Sequence, residues 1–198
     1  MPLSNVKFLY RYKDESSEVP DAALLYACAQ GETSALGILF ERHHEAVYRF
    51  MSRMTGTEAQ DIDDLVQETF IQVQRCAVKY KAKSSVKTWI LGIAVNMVRR
   101  YCRDRKRRPY LVDPKSRAET PSASTPQKDL EYRDTLKCLA EAMQNLPLKQ
   151  RSIFVLCDLE GVSGVEAAAT LGIPQGTVWR RLHEARKTLR EALGRGEQ

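Results

Sequence analysis

Residues 162–193 read VSGVEAAATLGIPQGTVWRRLHEARKTLREAL. Val162 to Thr170 has the length of a short helix, Leu171-Gly172-Ile173 is a tight turn, and Pro174 opens a second helix. Proline suits that place because the N–H it lacks is one that a helix start leaves unused. Beyond it Val178, Leu182, Ala185, Leu189 and Leu193 recur at helical spacing and form an inner stripe. A glycine turn between two short helices is the helix-turn-helix pattern, whose second helix enters the major groove. With Val178 facing inward and about 100° per residue, Gly176, Trp179, Arg180, His183 and Lys187 point outward, with Arg181 and Glu184 on the flanks. That face offers both base-edge readers and phosphate partners. The competing reading is a solvated basic helix closing a small bundle; the glycine turn and Pro174 favour DNA.

Upstream of this motif Tyr132, Leu136, Leu139, Met143 and Leu146 keep helical spacing, Pro147 interrupts, and Ile153, Val155, Leu156 and Leu159 continue to Gly161. Residues 113–128, DPKSRAETPSASTPQK, carry three prolines and three serines and no large apolar side chain, which is linker composition. Before the linker lie three more apolar stripes. Phe40, Val47, Phe50, Met51 and Met54 make one, Ile62, Leu65, Val66, Phe70, Val73 and Ala77 a second, and Thr55-Gly56-Thr57 separates them. Trp89, Ile90, Ile93, Ala94, Met97, Val98 and Tyr101 make the third, with Asn96, Arg99, Arg100 and Arg103 turned away. A further helix precedes Gly31, with Asp21 after Pro20 as its N-cap candidate. No strand-like alternation stands out. The expectation is an all-α protein of two small helical domains joined by a flexible linker: an extension over 1–21, a bundle over 22–112, the linker over 113–128 and a second unit over 129–198.

The net charge of +6 and the pI near 9.1 are moderate for 198 residues, but the charge is clustered. Arg99 to Arg108, RRYCRDRKRR, holds seven bases and one acid, while Glu58 to Glu68 holds five acids and no base. Two partners of opposite character are implied. Around Trp89 and Asn96 the lysines Lys79, Lys81, Lys83 and Lys87 and the arginine run supply phosphate neutralisation, a stacking surface and a base-edge reader. Against this, Trp89 sits on an apolar stripe, where core packing explains it, and cations at a helix end also suit the helix dipole. Asp63, Asp64, Gln67 and Glu68 form an anionic ridge that repels DNA and suits either solvent or an arginine-bearing protein.

Other classes find little support. His43-His44-Glu45 with Glu41 suggests a metal cluster, but neighbouring helical positions diverge by about 100° and no HExxH or Cys/His set completes a sphere. GxxxxGK[ST], GxGxxG and GxSxG are absent, so no catalytic residue, cofactor or metal is assigned. Five cysteines, Cys28, Cys76, Cys102, Cys138 and Cys157, without a CxxC pair read as reduced thiols in a cytoplasm. No apolar run reaches the roughly 18 residues of a membrane span, and neither a signal peptide nor direct membrane binding is expected.

Three segments together resemble the extracytoplasmic-function (ECF) subfamily of sigma-70 factors of bacterial RNA polymerase. DIDDLVQETFIQVQR (61–75) is similar to the polymerase-binding helix of region 2. TWILGIAVNMVRRYCRDRKRR (88–108) is similar to the helix that opens and reads the minus-10 element, and residues 159–191 are similar to region 4. The resemblance covers about 22–108 and 130–193. It implies a non-catalytic specificity subunit that docks on the clamp helices of the largest polymerase subunit through Asp64, Leu65, Gln67, Glu68 and Phe70. It implies minus-10 contacts at Lys83, Lys87, Trp89, Asn96, Arg99, Arg100, Arg103, Arg107 and Arg108, with Asn96 holding an extruded base. Minus-35 contacts fall at Gln175, Thr177, Trp179, Arg180, Arg181, His183, Glu184 and Arg186. Promoter DNA, core polymerase and an anti-sigma factor are the implied partners. Arg180 stands where serine is usual and Glu184 where arginine is frequent, so an altered upstream motif is expected. The first helix of the motif reads VEAAATLG where an E-I-A core is usual. The alternative is a stand-alone helix-turn-helix regulator, which leaves the acidic ridge and the Trp89/Asn96 helix unexplained.

Overall fold

Glycine ends the longest helix of the first unit. Gly56 takes φ +60° as its C-cap and its N–H returns to Ser52 O, a left-handed close that a residue with a Cβ resists. A computed structural model describes residues 19–56, 59–107 and 128–194. In chain order the helices are α1 (Asp21–Ala29), α2 (Thr33–Thr55), α3 (Ala59–Cys76, closed by a 3-10 turn Ala77–Lys79), α4 (Val86–Arg107), α5 (Lys128–Asn145), α6 (Leu148–Phe154, running into a π turn Val155–Leu159), α7 (Gly164–Leu171) and α8 (Gln175–Leu193). No strand occurs among the described residues. The all-α expectation holds. Residues 1–18, most of the 113–128 linker and Arg108 lie outside the described residues.

Helices α1 to α4 pack around Leu24, Leu39, Phe50, Met51, Met54, Ile62, Val73, Ile90 and Ala94, all essentially inaccessible. Asp21 is the first residue of α1 and Pro20 its N-cap. The Asp21 carboxylate is spent across the bundle instead, accepting from Arg42 Nη1 at 2.6 Å and meeting His43 Nε2 at 2.7 Å. His43 is thereby engaged by Asp21, and no group of three metal-ligating side chains forms among the described residues.

In the second unit Val178, Leu182, Ala185 and Leu189 of α8 are buried against α6 and α5. Helix α7 begins at Gly164, because Ser163 caps it: its Oγ accepts from Glu166 N, and the Glu166 carboxylate accepts from Ser163 N. Gly172, at φ +63°, makes the turn into α8. Leu136, expected on the inner stripe of α5, is 46% exposed; burial starts further along, at Leu139 and Met143.

The sequence pattern missed that the two units pack on each other. Leu91, Gly92 and Val95 of α4 are buried although they lie off its expected stripe, and Trp89, Ile93, Met97 and Tyr101 on that stripe are only half-buried. Leu91 and Val95 widen the face packed in the bundle, and α7 approaches α4 at Gly92. Gly92 admits it: a Cβ there would stand 2.3 Å from Thr170 Cγ2. Arg151 of α6 reaches across to Met54 O at 2.6 Å and also donates to Leu146 O at 3.1 Å and to Gln144.

Candidate nucleic-acid and polymerase interfaces

The acidic ridge follows from the helical register of α3. Ile62, Leu65, Val66, Thr69 and Phe70 face the core, which leaves Asp63, Asp64 and Gln67 exposed and Glu68 half-exposed. Leu65 at 7% and Phe70 at 3% exposure lie in the core and set the phase of the ridge. Glu68 lies 3.4 Å from Arg100 Nη1, so the ridge is tied at one end to α4. Beside it Phe40, His44, Tyr48, Val66 and Gln67 line a shallow groove. His44 stacks on Phe40 there, with ring centroids 5.0 Å apart.

On α4 the polar and cationic groups separate along the helix. Ser85 Oγ accepts from Thr88 N and caps the start, and Asn96, Arg100, Arg103 and Arg107 are exposed beyond it. Arg100 and Arg103 both flank Asp104, at 3.8 and 3.7 Å. Trp89 is half-buried with its ring edge on Tyr80, centroids 5.5 Å apart, so core packing and a partly open face both apply. The lysine-bearing loop before α4 holds Ala82 at φ +50°, an unusual state for a residue with a Cβ, and Tyr80 Oη bridges it by donating to Ser84 O at 2.7 Å. Lys83 is exposed. Lys87 and Arg99 are both engaged: Lys87 pairs with Glu160 at 2.9 Å, and burial, with the charge of Arg181 adding to it, holds the Arg99 guanidinium below its ordinary value.

On α8 the outward face matches the helical reading. Gln175, Gly176, Trp179, Arg180, His183 and Lys187 are exposed, and Thr177, Arg181 and Glu184 sit at the flanks. Trp179 packs under Gly164, where a Cβ would stand 2.7 Å from Cζ2. Glu184 accepts from Gln150 Nε2 at 2.9 Å and lies 3.7 Å from Arg180, which orients both side chains. Arg186 is engaged by Asp158 of the π turn, with Nε 2.9 Å from Oδ2, and these hydrogen bonds raise its guanidinium above the ordinary value. Its role in the isolated chain is to fasten α8 to α6. All five cysteines are free thiols, and burial pushes those of Cys28, Cys102 and Cys157 up, so they behave as small inert hydrophobes.

An all-helical chain with a helix-turn-helix, a second cationic helix end and a separate anionic ridge is a DNA-binding protein of two helical units. A family model described as Sigma-70 region 2 matches residues 39–108, and one described as Sigma-70, region 4 matches residues 136–189. The ECF RNA polymerase sigma factor SigM of Mycobacterium tuberculosis (strain ATCC 25618 / H37Rv) is 32% identical over 179 residues, covering 89% of this chain and 86% of SigM. Among solved structures, CnrH in complex with the cytosolic domain of CnrY aligns with TM-score 0.63 and 26% identity, over 90% of this chain and 99% of CnrH. The sigma factor RpoE in complex with the anti-sigma factor NepR from Bartonella quintana aligns with TM-score 0.60 and 25% identity, over 78% and 94%. The chain belongs to the ECF group of sigma-70 factors. It is a non-catalytic subunit that binds core RNA polymerase and promoter DNA and directs promoter-specific transcription. A match over both regions favours the sigma factor over the stand-alone regulator. Among the described residues no helix is long and apolar enough to cross a membrane.

Sequence reasoning missed Arg53, Glu160, Gln150, Asp158 and Arg151. Each acts on a partner from 7 to 107 positions away in the chain, and no local periodicity reports such a contact.

Proposed function

We propose that polymerase docking and promoter reading divide among three surfaces of this chain. Asp64, Gln67 and Glu68 present the ridge to basic side chains of the polymerase clamp, with Leu65 and Phe70 holding the ridge in register. Asn96 takes an extruded minus-10 base while Lys83, Lys87, Arg99, Arg100, Arg103, Arg107 and Arg108 neutralise backbone phosphates, and Trp89 walls the pocket. Gln175, Thr177, Trp179, Arg180, Arg181 and His183 meet the minus-35 element in the major groove, with Glu184 and Arg186 as the groups that aim and brace that helix. Unit borders follow the linker at 113–128. The protein works in the cytoplasm, and its likeness to two sigma factors solved with inhibitory or cytosolic-domain partners supports an anti-sigma protein as a further partner.

The observation that carries this reading is the charge segregation on one frame. The exposed acids of α3 and the exposed cations of α4 and α8 form separate runs that meet at the Glu68–Arg100 pair, so a protein and a nucleic acid can be held at once. Single-round transcription with sigma-free core polymerase tests it. Asp64→Arg/Glu68→Arg is expected to abolish promoter-dependent transcripts while leaving DNA binding by the free chain intact. Transcripts at the wild-type level from that variant would remove the ridge from the polymerase interface.

A further inference from the structure

The contact between the two units contains one carboxylate, Glu160, whose side chain is 6% exposed. Its Oε1 accepts from Arg53 Nη1 at 2.9 Å and its Oε2 lies 2.9 Å from Lys87 Nζ. Arg53 ends α2 and Lys87 begins α4, so both cations belong to the first unit and the anion to the second. Around this point Thr170 Oγ1 donates to Ser84 Oγ at 3.1 Å, and Gly92 lets α7 approach α4. Arg99 is held below its ordinary value by burial and, to a smaller extent, by the like charge of Arg181.

Two cations that hold the two oxygens of one carboxylate from opposite sides also fit the two free oxygens of a backbone phosphate, since both ligands present paired anionic acceptors at hydrogen-bond distance. Arg53 and Lys87 keep 37% and 42% of their side-chain surface exposed, so a polyanion can reach both cations from solvent and compete with the carboxylate.

We propose that Glu160 occupies a promoter-phosphate site formed by Arg53 and Lys87, so that the packed arrangement is self-inhibited and DNA and the second unit compete for one cradle. Arg53 is thereby a further DNA-backbone contact, used only after the units separate. The proposal rests on the reading of Lys87 as a minus-10 contact.

The test uses the full chain carrying Ser84→Cys and Thr170→Cys, with the disulfide between those two positions quantified by peptide mapping, and binding of a fluorescent single-stranded oligonucleotide at low salt. Glu160→Gln is expected to lower the cross-link yield about threefold and to raise oligonucleotide affinity about tenfold. Adding Arg53→Ala or Lys87→Ala should cancel most of the affinity gain. If Glu160→Gln misfolds by circular dichroism, Arg53→Ala/Lys87→Ala empties the cradle from its exposed side and must lower the cross-link by the same factor. Unchanged cross-linking, or a gain in affinity that survives Arg53→Ala, overturns the proposal. Promoter-dependent transcription by the wild-type chain is scored alongside. A chain that initiates but shows neither change with Glu160→Gln sinks the lock alone, whereas one that opens and binds DNA without initiating sinks the residue-level reading on which it rests.

Discussion

Arg180 and Glu184 show how far a single side chain can be read. Their helical phase puts both at the open end of α8, and arginine is a guanine reader by virtue of its fork of donors. Glutamate could equally accept from cytosine, but Gln150 already donates to it at 2.9 Å and Arg180 lies 3.7 Å away. Glu184 is thus held between Gln150 and Arg180 in the free chain. Selection of upstream DNA sequences is expected to shift at one base step for Arg180→Ser, with loss of a guanine preference worth about 1–3 kcal/mol. Glu184→Gln should broaden the same step without moving it to another base. An identical selected motif for wild type and Arg180→Ser would show that Arg180 holds phosphate and not base.

At the scale of elements, α7 has eight residues and a core side of small alanines, Ala167 and Ala168, so it depends on its cap and its neighbours more than on burial. The box of Ser163 and Glu166 satisfies its first donors, and Gly164 in its first turn leaves space for the Trp179 ring. Helix periodicity revealed that α7 and α8 exist and which way α8 faces, because the apolar stripe has to meet a core. It could not reveal that a glycine of one helix seats a tryptophan of the other, since that depends on how closely the axes approach. Gly164→Ala is expected to push Trp179 from its seat, lowering affinity for minus-35 duplex about tenfold while helicity by circular dichroism is kept. Full affinity in this variant would mean that the Trp179 position does not matter to the DNA face.

Across the whole molecule the Arg151 guanidinium is a buried tie between the units. It is buried, it lies below its ordinary value because of that burial, and it donates to Met54 O of the first unit as well as to Gln144 and Leu146 O of the second. Arginine stays charged throughout the accessible pH range, so each of these carbonyls loses a charged donor when it is replaced. Arg151→Met is expected to cost about 3 kcal/mol and to divide a single calorimetric transition into two, one for each unit. A single transition at an unchanged midpoint would show that the units are not coupled through this residue.

Helical periodicity, two glycine turns, the Pro174 start and the separation of acidic from basic runs determined the all-α class, the helix-turn-helix and the presence of one anionic and two cationic surfaces. These are local properties: a side chain's phase on its own helix follows from numbering alone. Only the tertiary structure decided that Leu65 and Phe70 are buried, that Arg186 pairs with Asp158, and that Glu160 closes on Arg53 and Lys87. Those outcomes depend on groups distant in sequence meeting within hydrogen-bond range. Helix phase leaves that open, because it orients a side chain without specifying which other helix it faces.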